Sequence, residues 1–350
     1  MKPLRPLALL LAFAMFFVLQ GPFKTPPEMS ANAMARSDKL DQTVSPNLET
    51  PIRACINLGG ALEAPVEGQW GYQVRTEDLK RIARAGFDTV RLPVAWSEHA
   101  EDDAPYTISS EILARTDVII KAALEQDLKI ILNVHHYYEL MHNPDDHEDR
   151  FDAIWRQLSA HYEGWPEGLI FEFLNEPHRR MNTARVDAMN HRLLGLIRPQ
   201  HPDRYVVLSG GRWGGLEGML ESNPPDDPRI ITSFHYYNPH KFTHQGASFD
   251  PKAAPPGQVW GSEQERIELE SVMSAAAHFR LRTGTPVFLG EFGVYADVPE
   301  QQRAEWTREV RLAAEAQQIG WCYFDWATTF RIYDLDRERW VGSVRQALLP

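Results

Sequence analysis

Cysteine is scarce in this sequence, which holds only Cys55 and Cys322 among its 350 residues. No cluster of cysteine and histidine has the spacing of a zinc site, so the sequence gives no support for a zinc-stabilised fold. Both cysteines stand in apolar runs that we predict as the first and last strands of one closed sheet. A disulfide between them is compatible with an exported chain, but we expect two buried free thiols.

Positive charge is also in deficit. The 36 lysines and arginines stand against 48 acidic residues, which gives a formal net charge of -12. A protein that binds nucleic acid would present a basic face to the phosphates, so this balance argues against a nucleic-acid partner. An uncharged or weakly acidic ligand is compatible with it, and so is an acidic surface that serves solubility alone.

Long apolar runs are missing except near the start of the chain, where two basic residues precede an apolar stretch at 7–19. This pattern is typical of a signal peptide, and the stretch is too short for a comfortable membrane span. The small-residue site at 31–33 lies later than usual, so both a cleaved leader and an uncleaved anchor are compatible with it. We predict a signal peptide or anchor at 1–20, a linker at 21–49, and a secreted or periplasmic protein whose only membrane contact is an uncleaved leader.

The rest of the chain, residues 50–350, alternates apolar runs with amphipathic segments. The eight apolar runs have the composition of strands that are covered on both faces. They are Arg53–Leu58, Thr89–Pro93, Lys129–His135, Leu169–Asn175, Tyr205–Ser209, Ile230–His235, Pro286–Gly290 and Gly320–Asp325. Helical patterns lie between them, at Thr76–Ala85, Ser109–Gln126, His147–Tyr162, Thr183–Arg198, Ser262–Arg282 and Pro299–Gln318.

Such alternation predicts an α/β fold with a parallel sheet, and eight units allow it to close into a single-domain (β/α)8 TIM barrel. A barrel of this kind needs about 250 residues, which the chain provides. The alternative is an open, doubly wound sheet. It has little support, because no glycine-rich dinucleotide-binding turn follows the first strand.

Polar and ionisable side chains collect where the predicted strands end. They are Arg91 on the second strand, His135 and His136 on the third, Asn175 and Glu176 on the fourth, His235 and Tyr237 on the sixth, and Glu291 on the seventh. Active sites of barrels lie at this end of the strands, so we expect these residues to meet at one mouth. Two carboxylates in such a ring are the chemistry of glycoside hydrolysis.

Glu176 and Glu291 are the two candidate catalytic residues. One carboxyl group must protonate the departing sugar oxygen, and the other must attack the anomeric carbon or activate water. They belong to strands on opposite sides of the predicted ring. A separation of about 5 Å would predict direct attack and retention of configuration.

Four neighbours could support these roles. Arg91 could keep Glu291 ionised through its charge, and Tyr237 could donate a hydrogen bond to the same carboxylate. Asn175 could bind the 2-hydroxyl of the sugar, where contacts strengthen in the transition state. His235 could lie beside the other glutamate and help to set its protonation.

Six segments, in order, resemble glycoside hydrolase family 5 and particularly its bacterial endoglucanase and mannanase members. They are Asn57–Gly59, Val90–Pro93, Asn133–Tyr137, Leu174–Pro177, His235–Pro239 with Phe242–Gln245, and Gly290–Gly293. The resemblance implies a retaining (β/α)8 glycosidase in which Glu176 is the acid/base and Glu291 the nucleophile. It also implies an active-site shell of Arg91, His135, Asn175, His235 and Tyr237, with sugar contacts from Glu63, His136 and Trp260.

Two positions depart from the pattern of this family. The nearest members have asparagine where this chain has Gly60, which removes one possible hydrogen bond to the sugar. The stacking tryptophan of the eighth strand falls at Phe324. Trp326 lies two residues further on, and in a strand its side chain would face the same way. We therefore expect the ring of Phe324 or of Trp326 to form the sugar platform.

Other residues have a structural interpretation. We expect Trp96, Trp213 and Trp340 to pack in the core, and Glu172 to fill the barrel without a catalytic role. The acidic run Asp145–Asp149 is predicted to be a solvated loop.

A metal site at His135 and His136 would need further ligands. The nearest candidates along the chain, in 145–147, have the character of a helix cap. Two carboxylates suffice for glycoside hydrolysis, so we predict neither a metal nor a cofactor.

The sequence therefore predicts a monomeric, retaining endo-β-1,4-glycanase that cleaves a glucan or a mannan-type polysaccharide or oligosaccharide by double displacement. Aromatic side chains suit such ligands, because sugar rings present apolar faces. The alternatives are a non-catalytic carbohydrate-binding protein on the same fold, an exo-acting β-glycosidase, and a metal-dependent barrel hydrolase.

Overall fold

The computed structural model describes Leu48 and residues 50–350. The predicted signal peptide or anchor at 1–20 lies outside the described residues, as does the predicted linker at 21–49 apart from Leu48. Within the described part, no helix combines the length and the apolar composition that a membrane crossing requires.

Eight parallel strands close into one barrel in chain order, with the eighth paired to the first. The strands are β1 (Ala54–Asn57), β2 (Thr89–Leu92), β3 (Lys129–Asn133), β4 (Leu169–Glu172), β5 (Val206–Ser209), β6 (Ile230–His235), β7 (Val287–Phe292) and β8 (Gly320–Tyr323). The (β/α)8 prediction is confirmed, and the open doubly wound sheet is wrong. Several strands end earlier than predicted, because the chain leaves the sheet where the polar mouth residues begin.

Helices surround the barrel. They are α1 (Thr76–Ala85), α2 (Ser110–Leu124), α3 (Tyr138–His142), α4 (Pro144–His161), α5 (Thr183–Ile197), α6 (Leu216–Glu221), α7 (His240–Thr243), α8 (Glu263–Thr283), α9 (Glu300–Ala316) and α10 (Gly342–Leu348). A 3₁₀ turn at Trp96–His99 and an antiparallel pair, β9 (Tyr333–Asp334) with β10 (Arg339–Trp340), complete the described elements. The three short helices α3, α7 and α10 lack enough turns to give a periodic pattern and escaped prediction.

The acidic run at 145–149 lies inside α4, so its prediction as a solvated loop is wrong. Pro144 occupies the first turn of this helix, where its fixed φ angle and missing N–H are tolerated. Asp145 and Asp146 follow in the same turn, where their negative charges interact favourably with the positive end of the helix dipole. These residues therefore begin a helix, and their charge belongs to its N-terminus.

The interior of the barrel is apolar at one end and polar at the other. Side chains alternate along each strand, so every second residue points inward. The inward apolar residues form one buried cluster of Ile52, Cys55, Ile131, Ile170, Val207, Ile231, Phe288 and Cys322. The next inward positions toward the carboxyl ends of the strands are polar. The apolar cluster therefore forms the layer directly beneath the polar residues of the mouth.

Cys55 and Cys322 form a disulfide, so the expectation of two free thiols is wrong. Barrel closure pairs β1 with β8 in a register that puts the two cysteines directly opposite each other. Their Cα atoms lie 4.1 Å apart and both side chains point inward. The disulfide therefore closes the barrel covalently at its seam.

Reduction of this disulfide should destabilise the protein. It releases a cross-link between positions 267 residues apart, and loops of that size are associated with up to about 5 kcal/mol of stabilisation. We expect the melting temperature to fall by roughly 5–15 °C under reducing conditions. A Cys55→Ala/Cys322→Ala variant should melt near the reduced wild type and be insensitive to reductant. An unchanged melting temperature after full reduction, verified by thiol titration, would contradict the prediction.

Candidate active site

The predicted mouth residues meet at the carboxyl ends of the strands, around the guanidinium group of Arg91. This side chain is fully buried. All five of its N–H groups donate hydrogen bonds, which is the full capacity of an arginine. Two go to Glu172, at 2.7 and 2.6 Å, and one each to Glu291 at 2.7 Å, Asn57 at 2.8 Å and Asn175 at 2.6 Å.

Glu172 has a role that the sequence did not reveal. It fills the barrel as predicted, and it is also the bidentate partner of Arg91. Burial lowers the pKa of Arg91, but the charges and hydrogen bonds of Glu172 and Glu291 outweigh burial and raise it overall. A buried cation is thereby paired and hydrogen-bonded, as burial of a charge requires.

Glu291 is held as a carboxylate. Burial alone would raise the pKa of its carboxyl group, but the charges of His235 and Arg91 lower it, and so do hydrogen bonds from Tyr237 and Arg91. The Tyr237 hydroxyl donates to one oxygen at 2.9 Å, while Arg91 donates to the other. The pKa of Glu291 is therefore lowered overall, so its carboxyl group is ionised at neutral pH.

Glu176 has the opposite environment. Burial raises the pKa of its carboxyl group, and the hydrogen bond and charge of His235 offset this only in part. His235 Nδ1 lies 2.8 Å from Glu176 Oε1 and 3.7 Å from Glu291 Oε2. The two glutamates are close, since one oxygen of each lies within 4.8 Å of the other and of a nitrogen of His235.

Bulges in the sheet help to bring these groups together. The register between β6 and β7 shifts at Phe234 and His235, and His235 then pairs with Glu291. A second shift separates β7 from β8 between Leu289 and Phe292. Bulges change the direction of nearby side chains. The first bulge lies at His235, and the second lies in the segment of β7 that contains Glu291.

Glu63, His135 and His136 form a second cluster, with donor atoms within 4.8 Å of one another. Glu63 Oε1 accepts a hydrogen bond from the Gly60 N–H at 2.9 Å, and burial raises the pKa of this carboxyl to about 8. Its other oxygen is buried without a partner and lies 3.9 Å from His135 Nε2. Glu63 is therefore protonated at neutral pH and can donate a hydrogen bond.

The side chains of this cluster are uncharged at neutral pH. The side-chain amide of Asn133 donates to Glu172 at 3.3 Å and lies 3.2 Å from His135 Nδ1, and the amide nitrogen of Asn175 lies 3.4 Å from His135 Nε2. Burial keeps the pKa of His135 well below its usual value, so its imidazole is neutral at neutral pH. The protonated carboxyl of Glu63 can donate a hydrogen bond and the neutral imidazole of His135 can donate or accept one, and both kinds of bond fit sugar hydroxyl groups.

Gly60 departs from the family pattern for a packing reason. Its φ angle is +76°, and a Cβ atom at this position would lie 2.6 Å from Thr328 Cγ2. Thr328 is itself held by Asp325, to which its hydroxyl and its backbone N–H both donate at 2.7 Å. Thr328 therefore occupies the space that an asparagine side chain would need.

The two candidates for the sugar platform differ in exposure. Trp326 is fully buried and stacks on Tyr333 at 4.7 Å, so its prediction as a sugar platform is wrong. The alternation that predicted it holds only inside a strand, and β8 ends at Tyr323. Phe324 is partly exposed and lies against Gly59, which leaves its ring as the available platform.

Trp260 is not part of the contacts around the two glutamates in the described structure. It packs partly against the core, with the guanidinium of Arg266 on α8 at 4.9 Å from its ring centroid. Phe249, Tyr295 and Phe330 instead form an aromatic cluster beside the mouth, where Phe330 lies 5.8 Å from the Tyr237 ring. The sequence pattern did not reveal this cluster, because its three residues come from three different loops.

Trp213 was predicted as core packing, but it is partly exposed near Glu176. Its ring stacks on His178 at 3.4 Å, and its backbone N–H donates to Pro177 at 2.8 Å. The next residue, Gly214, lies against the side chain of Glu176. The packing prediction for Trp96 is correct, because that side chain is fully buried.

Comparison with known proteins agrees with this geometry. The family described as Cellulase (glycosyl hydrolase family 5) matches residues 55–329. Endoglucanase H of Acetivibrio thermocellus is 31% identical over 282 residues, which are 81% of this chain and 29% of that protein. The chain therefore spans less than a third of the length of that relative.

Two solved structures of Thermotoga maritima Cel5A are also similar. The one with cellobiose has a TM-score of 0.84 and 33% identity over 87% of this chain and 100% of its own. The one with mannotriose has a TM-score of 0.84 and 32% identity over the same shares. Because the family match covers most of the chain, the protein belongs to glycosyl hydrolase family 5, a family of glycoside hydrolases.

Proposed function

We propose that this protein is an endo-acting β-1,4-glycanase that retains configuration at the anomeric carbon, with Glu291 as nucleophile and Glu176 as acid/base. One observation carries the proposal: one carboxyl oxygen of Glu176 and one of Glu291 lie within 4.8 Å of each other, in environments that shift the two pKa values in opposite directions. Retaining enzymes use carboxyl groups about 5–5.5 Å apart, whereas inverting enzymes need about 6.5–9.5 Å to admit a water molecule.

The first step forms a glycosyl-enzyme. An oxygen of Glu291 forms a bond to the anomeric carbon while the glycosidic C–O bond breaks. The proton of Glu176 passes to the departing oxygen, which leaves as a hydroxyl group. Arg91 and Tyr237 hold Glu291 ionised and aimed, through bonds of 2.7 and 2.9 Å.

The second step returns the enzyme to its starting state. Glu176, now a carboxylate, accepts a proton from water as the water oxygen bonds to the anomeric carbon. Glu291 departs as the carboxylate. His235 lies 2.8 Å from Glu176, so its N–H stabilises the carboxylate form between the two steps.

The substrate class follows from the family and the mouth. The relative in the comparison is an endoglucanase, and the Cel5A structures hold cellobiose and mannotriose. We propose a β-linked glucan as the main substrate and a mannan-type chain as a second one. Partly exposed rings on different sides of the mouth, Phe324 and Trp213, suit a chain that continues past the cleaved bond.

The site of action is proposed to be outside the cytoplasm, by a secreted or periplasmic enzyme. A polysaccharide does not cross a membrane unaided, and residues 1–20 have the composition of a leader.

Removal of either carboxyl group should abolish most of the activity. Glu176→Gln and Glu291→Gln should each lower turnover on a soluble β-glucan by at least ~10²-fold, measured as reducing ends released. Glu270→Gln, on the exposed surface of α8, is the matched control and should be fully active. Wild-type turnover in either site variant, with an unchanged circular dichroism spectrum, would refute the assignment.

The pH dependence should be bell-shaped. Activity requires Glu291 deprotonated, so the acid limb should lie below the usual carboxyl range, because the pKa of Glu291 is lowered. Activity also requires Glu176 protonated, so the alkaline limb should lie above that range, because the pKa of Glu176 is raised. On an aryl glycoside with a good leaving group, Glu176→Gln should lose the alkaline limb of the first step. Persistence of that limb would assign it to another group.

Product lengths should distinguish endo from exo action. An endo enzyme should lower the viscosity of carboxymethylcellulose early, before many reducing ends appear, and release oligosaccharides of mixed length. Glucomannan should be cleaved in the same way, since the proposal includes mannan-type chains. Release of a single short product from the start, without a fall in viscosity, would favour the exo-acting alternative.

A further inference from the structure

Three aromatic rings meet on the outer side of the second cluster. Tyr138, the first residue of α3, stacks on His136 with ring centroids 5.3 Å apart and planes 11° from parallel. Trp70, from the segment between β1 and α1, approaches the same imidazole edge-on at 6.0 Å. Two segments far apart in the chain thus place their rings at one point of the barrel mouth.

These rings continue a path that begins at the reacting centre. His135 connects these rings to the reacting centre, because its Nε2 lies 3.4 Å from the amide nitrogen of Asn175, whose side-chain oxygen accepts a hydrogen bond from Arg91. His136 contacts His135 at 4.6 Å, and both share a cluster with buried Glu63. The path therefore runs from buried hydrogen-bond donors out to partly exposed rings.

Core packing does not account for Tyr138. The preceding residue, Tyr137, is buried, and its ring packs on Phe151 and beneath the Arg150 guanidinium. Tyr138 points the other way and is 42% exposed. A flat ring that is stacked on one face and open to solvent presents apolar area, which the apolar face of a sugar can cover.

The position of Glu176, the proposed acid, determines which side of the mouth each end of the substrate occupies. The leaving group must lie next to Glu176, where Trp213 and His178 stack. A substrate with its reacting sugar over Phe324 and the Glu63–His135 pair would extend from there toward Tyr138 and Trp70, because His135 contacts His136 and His136 contacts both rings.

We propose that Trp70 and Tyr138, arranged around His136, form an outer binding site for a pyranose unit of a β-1,4-linked chain, on the side away from the leaving group. The inference rests on the proposed glycanase function and specifies which substrates use it. Chains long enough to reach these rings bind more tightly, while substrates that end over Glu63 and His135 do not contact them.

The test compares substrates of different length in ring-deletion variants. Tyr138→Ala and Trp70→Ala should each raise KM for cellohexaose by about 3- to 10-fold, the scale of one aromatic stacking contact, with kcat little changed. The KM for an aryl β-cellobioside, which is too short to reach the rings, should stay the same. Tyr138→Phe keeps the ring and should behave as wild type on both substrates.

Other outcomes would overturn the inference in distinct ways. An equal loss on the short and the long substrate would assign the rings a structural role at the mouth, and no loss on either would remove them from binding. If the wild type hydrolyses neither substrate, the proposed function fails. The outer site is then judged by calorimetric titration of cellohexaose, where weaker binding by Tyr138→Ala than by Tyr138→Phe supports it and equal binding refutes it.

Discussion

The buried guanidinium of Arg91 is the interaction on which the rest of the site depends. Its five hydrogen bonds reach three other strands of the barrel, through Asn57 on β1, Glu172 and Asn175 at the end of β4, and Glu291 on β7. One cation there holds two carboxylates that would otherwise repel each other in a site with little water. Arg91 thereby fixes both the position and the ionised state of Glu291.

The different roles that we propose for the two glutamates follow from their unequal access to that cation. Glu291 bonds directly to Arg91, while Glu176 has His235 as its hydrogen-bond partner. Burial therefore dominates at Glu176 and raises its pKa, whereas charge dominates at Glu291 and lowers its pKa. Two carboxyl groups whose environments separate their pKa values are the general arrangement for acid/base chemistry on one substrate.

Sequence reasoning succeeded where barrel closure determines the outcome. Apolar strand runs and the polar residues at their ends were enough to place Arg91, Glu176 and Glu291 at one mouth, because eight parallel strands present their carboxyl ends together. It failed where side-chain direction is set outside a strand, as for Trp326 and Trp213. The disulfide was also misjudged, because free thiols are the common state and only the register shows Cys55 opposite Cys322.

The central claim, that Glu291 attacks the anomeric carbon, is tested most directly by trapping the intermediate. A 2-deoxy-2-fluoro-β-cellobioside with a good leaving group slows the second step, so a retaining enzyme accumulates the glycosyl-enzyme. Mass spectrometry of digested protein should find one adduct, on the peptide that contains Glu291 and on that residue. An adduct on Glu176 or Glu63, or turnover of substrates without any trapped adduct, would contradict the account.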